Sequence, residues 1–342
     1  MQKMTDRERF EASLKMQTVD RVSIACPLQT GTVALMEASG AYWPEAHHDP
    51  ETMAKLAMAA HKIAGIECVC VPFHNEYETT AMGGVIGGFK KDMFPSTVEY
   101  AVKSLADIDK LRVPDPKKDG ELPIVLKAVS ILSKQLGGKV PVVGRIPDPF
   151  ELANRLYGVT EVLTAVLEHP AELKKLLKIG VKVETEYGKA LIASGATTIT
   201  LVSGTTSTIT DPETGPKYYM EFSQPYQKEL IKNLKTYTVL HICGNCTPIL
   251  NEMGDTGTSG VSIDSPVDVL KAKKVLGKRA AIVGNVNALN ILGSGTPDKV
   301  KEKAKEALMK GVDVLSSGCG FPPQTPLANM KALVEAGLEF CK

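Results

Sequence analysis

The chain has 342 residues, with 40 Lys+Arg against 39 Asp+Glu and a formal net charge of +1, so it offers no broad field for a phosphate backbone or an anionic membrane. Nucleic acid and membranes are therefore not expected partners. The opening MQKMTDRERFEASLKM has no apolar run of the signal type and no segment approaches a membrane span, so the expected location is cytoplasmic; seven cysteines, an odd number, then read as free thiols or metal ligands rather than a disulfide framework.

Eight short runs rich in β-branched or apolar residues follow one another: VSIAC (22–26), ECVCVPF (67–73), VPVVGRI (140–146), TTITLVS (197–203), TVLHIC (238–243), SGVSID (259–264), AAIVGNV (280–286) and VDVLSSG (312–318). Each has the length of a strand. Helical stretches lie between them. Asp49 and Pro50 open ETMAKLAMAAHKIAG, and Thr296 and Pro297 open DKVKEKAKEALMKG, which Gly311 closes. Strand and helix in alternation require crossover connections and a parallel sheet. Eight repeats, with no G-x-G-x-x-G after the first strand, predict an α/β protein of the (β/α)8 TIM-barrel class rather than an open doubly wound sheet. Residues 82–102, MGGVIGGFKKDMFPSTVEYAV, fit no βα unit and read as a hairpin excursion after the second strand. With no linker, repeat or low-complexity tract, 1–342 reads as a single domain.

In a barrel of this kind the site lies where the strands end. Strand one leads to Gln29, strand two to His74, Asn75 and Glu76, and strand three to Arg145 and Asp148. Strand five ends in His241 and Cys243, strand six in Asp264, strand seven in Asn285, and strand eight in Cys319. Side chains alternate along a strand, so His241 and Cys243 share a face while Leu240 and Ile242 take the other. Cys319, in SSGCGF, can join them from the last strand. Two thiolates and an imidazole suit Zn2+ and leave a fourth position open, as in a catalytic site. Asp264 is expected to fill that position weakly in the resting state. Glu76 and Glu78 read as site acids or as a solvated loop. Cys246 reads as a first-turn helix residue, Cys68 and Cys70 as core, and His47-His48-Asp49 as a loop ending in an N-cap.

The segments TGTVALMEASGAYWPEAHHDPETMAKLAMAAHKIAG, HICGN and GCGFPPQTPLANMKALVEA closely resemble the methylcobamide:coenzyme M methyltransferases of the uroporphyrinogen decarboxylase superfamily. The resemblance runs from RERFEASL to the last helix. It implies a (β/α)8 barrel in which His241, Cys243 and Cys319 match the zinc ligands and Asp264 falls at an acidic position. Two features depart from the family: LVSGTTSTITDP puts hydroxyls at Ser203 to Thr206 where an Asp-Pro pair is common, and HICGNC adds Cys246.

The resemblance further implies a cofactor pair, Zn2+ and methylcobalamin or a related corrinoid carried by a small partner protein that docks at the barrel mouth. The methyl group would pass from methyl-cobalt(III) to a small, zinc-activated thiol such as coenzyme M. From their places beyond the strands, Asp264 and Glu78 are the candidate catalytic acids. Coenzyme M ends in a sulfonate, for which Arg145, Gln29 and Asn285, with Lys90 and Lys91, are the candidate binders. An alternative within the superfamily is demethylation of an O-methyl or N-methyl substrate onto cobalt(I). A non-enzymatic barrel that binds zinc or a corrinoid protein is the alternative from another class. Seven arginines and no Arg-rich N-terminal motif argue against a substrate with eight carboxylates, and hence against uroporphyrinogen decarboxylase activity itself.

Overall fold

The computed structural model describes residues 3–210 and 216–340. Ten strands are present: β1 (Ser23–Ile24), β2 (Val69–Val71), β3 (Val85–Gly87), β4 (Ser96–Glu99), β5 (Val142–Pro147), β6 (Thr198–Ser203), β7 (Tyr237–Ile242), β8 (Gly260–Ile263), β9 (Ala281–Val286) and β10 (Val314–Ser317). Eight of them form one sheet in the order β1-β10-β9-β8-β7-β6-β5-β2, with every ladder parallel. The two ends of this sheet meet. Glu67 N–H donates to the Ile24 carbonyl at 2.8 Å, and the Cys68 thiol donates to the Cys26 carbonyl at 3.2 Å. The result is the expected barrel, with all eight predicted strands in place. Several are shorter than their apolar runs; β2 stops at Val71 because Pro72 has no N–H to continue a ladder.

The excursion after the second strand is an antiparallel pair, β3 with β4. It is joined to β2 by a short helix, Tyr77–Ala81, that periodicity did not show. Two more short helices, Val33–Ser39 and Glu45–His48, lie between β1 and the helix Pro50–Lys62. The second corrects the reading of His47 and His48 as loop. Asp49 does cap Pro50–Lys62, its carboxylate accepting the Thr52 N–H at 2.7 Å, and Thr296 caps Pro297–Met309 in the same way.

Residues of the barrel strands are buried on both faces, as a sheet wrapped by helices requires. Outside the strands, alanines at 54, 57, 59 and 60 form the buried face of Pro50–Lys62 and let it lie close to the helix Leu122–Leu136. A second, smaller apolar cluster, including Phe150, Leu156, Val162, Leu173 and Leu177, fills the space among the helices between 149 and 193. No helix among the described residues is long and apolar enough to cross a membrane.

Candidate metal centre at the barrel mouth

His241 is the penultimate residue of β7, fully buried, and Cys243 follows just beyond the strand. Leu240 and Ile242 are buried on the alternate face, as strand alternation requires. Two features then shape the loop. Gly244 takes φ +77, a left-handed conformation that turns the chain aside, and its N–H donates to Asp264 Oδ2 at 3.0 Å.

Cys319 arrives from the other side of the mouth. Its flanking glycines explain G-C-G: a Cβ at 318 would stand 2.9 Å from Asp264 Oδ1, and one at 320 would stand 2.8 Å from the Cβ of Gln29. Only a chain without side chains at both points lets the loop after β10 press onto the loops after β8 and β1. The cysteine between them is thereby carried inward.

The donor atoms of His241, Cys243 and Cys319 lie within 4.8 Å of one another. His241 Nε2 is 3.2 Å from Cys243 Sγ, and the two sulfurs are 3.7 Å apart. Nδ1 of His241 faces Ser262 on the neighbouring strand, 3.1 Å from its hydroxyl and 3.3 Å from its carbonyl. The set is two soft sulfurs and one imidazole nitrogen, with the other ring nitrogen held from behind. That donor chemistry fits Zn2+. The sulfurs are unequal: Cys319, hydrogen-bonded by Cys243 and facing His241, is held well below the ordinary thiol value, and Cys243 is pushed up because it keeps the shared proton.

The other predicted residues are distributed as follows. Asp264 lines the same cavity but stands outside the convergent group, its oxygens engaged by the N–H groups of Gly244 and Ser265. Gln29 also lines the cavity, yet its amide is spent on backbone: Nε2 donates to the carbonyls of Gly31 and Phe321 at 2.8 Å each, and Oε1 accepts the Gly31 N–H. Arg145 lines the cavity with 6% of its surface exposed. Asn285 does not; it borders a separate cleft, and its Nδ2 donates to the Val267 carbonyl at 2.9 Å. Glu78 is likewise absent from the cavity wall. It is buried, with Glu184 and Tyr187 in its field, and burial raises its carboxyl to about 8. Lys91 pairs with Glu37 on the surface. Cys246 is fully buried ahead of the turn Thr247–Ile249 and outside the convergent group, and Cys68 and Cys70 are core.

The cavity has a volume of about 650 Å³. Part of its wall was not foreseen. The new members are Glu151 and Arg155 from the helix Pro149–Tyr157, which form one ion network with the foreseen Glu76 from the loop after β2: Arg155 binds Glu76 through Nη1 and Glu151 through Nε and Nη2, the last at 2.7 Å. Glu151 also accepts from Gly204 N–H and Thr205 Oγ1, both at 3.0 Å, and Thr97 of β4 donates to Glu76 at 2.8 Å. The hydroxyl-rich loop after β6 is thus tied to the rim, with Ser203 bonded to Thr206. Its continuation, 211–215, lies outside the described residues. A sequence signal existed for Glu151 and Arg155, the i, i+4 spacing of opposite charges just after an N-cap. Asn287, just beyond the end of β9, lines the wall in place of Asn285.

The uroporphyrinogen decarboxylase (URO-D) family matches residues 5–340. The methylcobamide:CoM methyltransferase MtbA of Methanosarcina mazei is 39% identical over 354 residues, covering 99% of each chain. The methylcobamide:CoM methyltransferase MtaA of Methanosarcina barkeri is 36% identical over 343 residues, again covering 99% of each. A solved structure described as a methyltransferase from Methanosarcina mazei superposes with a TM-score of 0.94 at 37% identity, over 98% of this chain and 99% of that one. The chain belongs to the URO-D family, among its methylcobamide:CoM methyltransferases.

Proposed function

We propose that the protein is a zinc-dependent methyltransferase that moves a methyl group from a methyl-cobalt(III) corrinoid to a small thiol such as coenzyme M. The corrinoid would be carried by a separate small protein docked at the barrel mouth. The observation that carries this reading is the convergence of His241, Cys243 and Cys319 on the wall of a cavity at the C-terminal ends of the strands.

His241, Cys243 and Cys319 would hold Zn2+, which when bound supplies the Lewis acidity that keeps an incoming thiol deprotonated near neutral pH, against an ordinary thiol value of about 8.5. A corrinoid held by the partner protein would supply the methyl group and serve as its leaving group. The remaining work belongs to the chain. Ser262 fixes the ring of His241 so that Nε2, and not Nδ1, faces the sulfurs. Asp264, held by two backbone N–H groups, sets a negative charge beside them. Phe73, Phe94, Phe321 and Pro322 line the cavity with apolar surface, which excludes water from a nucleophile held there. At the rim, Leu289 is 69% exposed and Phe94 37% exposed, apolar contact that a docked protein would cover.

The test is thiol-dependent loss of methylcobalamin absorbance, with coenzyme M, homocysteine and a tetrahydrofolate compared side by side. Methyl thioether formation is the expected result. Methylation of no thiol would overturn the reading and favour demethylation of an O-methyl or N-methyl substrate.

A further inference from the structure

The loops after β7 and β10 each deliver one sulfur to the same point. Cys243 Sγ and Cys319 Sγ are 3.7 Å apart, although 76 residues separate them in the chain. A disulfide needs about 2.05 Å, so the pair closes with a combined shift of about 1.7 Å, which rotations about the two Cα–Cβ bonds can cover. The closeness belongs to the backbone. Gly318 packs against Asp264 and Gly320 against Gln29, while the Gly244 N–H donates to the same Asp264. Asp264 thus braces both cysteine loops against each other.

The two cysteines also differ from the others in access. Cys26, Cys68, Cys70 and Cys246 are fully buried, whereas Cys243 and Cys319 are half-buried on the wall of the cavity. Among the described residues they are the only cysteines that a reagent in the cavity reaches. At about 650 Å³ the cavity is of the size that takes a drug-sized ligand, and so it admits two small thiols joined as a disulfide. Thiolates attack disulfides through a mixed-disulfide intermediate, and a second thiolate held beside the first resolves that intermediate in a fast intramolecular step.

We propose that Cys243 and Cys319 are a modification site, oxidised to an intramolecular disulfide by the disulfide form of a small thiol, which disarms the metal centre reversibly; this rests on reading the cavity as a site that admits small thiols. In the first step one cysteine thiolate attacks a sulfur of the incoming RSSR. The S–S bond of the reagent breaks, a cysteine–SR bond forms, and RS⁻ leaves with the electron pair. In the second step the other thiolate attacks the cysteine sulfur of the mixed disulfide, and the second RS⁻ leaves. Two protein sulfurs are oxidised, two reagent sulfurs are reduced, and each RS⁻ draws its proton from solvent as its own pKa requires. Only His241 of the three ligands then remains, and one imidazole is too few to retain Zn2+. Excess thiol reverses both steps, so the ratio of thiol to disulfide around the protein sets the fraction able to hold metal.

The test exposes the zinc-loaded chain to bis(2-hydroxyethyl) disulfide and to bis(2-sulfoethyl) disulfide, with a chromogenic chelator present. With at least one of them, loss of about one equivalent of Zn2+ and of about two titratable thiols is expected, together with an intact mass lower by two hydrogens and a linked peptide pair carrying Cys243 and Cys319. Dithiothreitol should reverse all four. In Cys319→Ser no link should form, and a mixed disulfide should persist at Cys243. Peptide mapping of the natural chain carries the test even if that variant does not fold. Cysteines left unlinked by both reagents, a link from Cys243 to Cys246 in place of Cys319, or a mixed disulfide that persists in the natural chain overturns the modification site. Linkage of Cys243 to Cys319 in a chain that methylates no thiol overturns the methyltransferase reading and leaves the modification site standing. Thiol methylation by a chain whose cysteines stay unlinked does the reverse.

Discussion

Ser262 Oγ lies 3.1 Å from Nδ1 of His241, directly across the β7–β8 ladder. The contact fixes which ring nitrogen faces the sulfurs. Its loss should loosen a bound ion without dismantling the site: Ser262→Ala is expected to weaken zinc affinity by about 10- to 100-fold, read by competition with a chromogenic chelator. His241→Ala and Cys319→Ala should retain no stoichiometric zinc by metal analysis. Chelator treatment of the natural chain should abolish thiol methylation, and Zn2+ should restore it. Retention of one equivalent of zinc in both variants would sink the assignment.

Gln29 should behave as a structural residue despite its place on the cavity wall. Its amide ties the loop after β1 to the loop after β10 through three backbone partners. Gln29→Ala strips a partner from the carbonyls of Gly31 and Phe321 and from the N–H of Gly31, each costing about 1–3 kcal/mol where it stays buried. A lower urea midpoint is expected. A raised KM with unchanged stability would instead return Gln29 to the role of substrate ligand.

The ion network on the rim makes a further prediction. Glu76 and Glu151 have side chains 1% exposed and depend on Arg155, which is 31% exposed. Arg155→Met leaves two buried carboxylates without their cation and should cost about 2–4 kcal/mol, toward the lower end because water reaches the guanidinium. Adding Glu76→Gln and Glu151→Gln together should recover part of the loss, measured by urea denaturation of the natural chain, the single variant and the triple variant.

Glu78 provides the pH dependence. Burial raises its folded-state value to about 8 from an ordinary 4.5, so the folded protein keeps this proton after the unfolded chain has released it. The stability attached to the group is therefore full below pH about 4.5 and declines as pH rises toward 8. Glu78→Gln removes that decline. The variant should gain on the natural chain between pH 5.5 and 8 by an amount on the order of a few kcal/mol, in urea titrations at both pH values. A difference independent of pH would show that Glu78 is ionised in the fold.

The barrel was legible in the chain because its signal is local. Eight β-rich runs separated by capped helices admit few topologies, and crossover handedness and sequential pairing remove most of those. The triad was legible for a related reason: strand alternation puts His241 and Cys243 on one face whatever surrounds them, and the two glycines around Cys319 announce a close approach of backbones. The short helices Val33–Ser39, Glu45–His48 and Tyr77–Ala81 were not legible, since one or two turns carry too little periodicity to stand out.

What a polar side chain does once it reaches the mouth was beyond the sequence. Gln29, Asn285 and Asp264 all end strands, and all three turned out to be engaged by backbone groups that come from elsewhere in the chain. Glu76 and Glu78 are two residues apart, yet the first joins the rim network and the second is buried beside Glu184. Residue type and strand position set which groups arrive at the C-terminal face. Tertiary structure alone decided which of them remained unpaired there, because a hydrogen bond or a counter-charge depends on distance in space, and the partners that decided it, Glu76 for Arg155, Phe321 for Gln29 and Val267 for Asn285, lie on other loops.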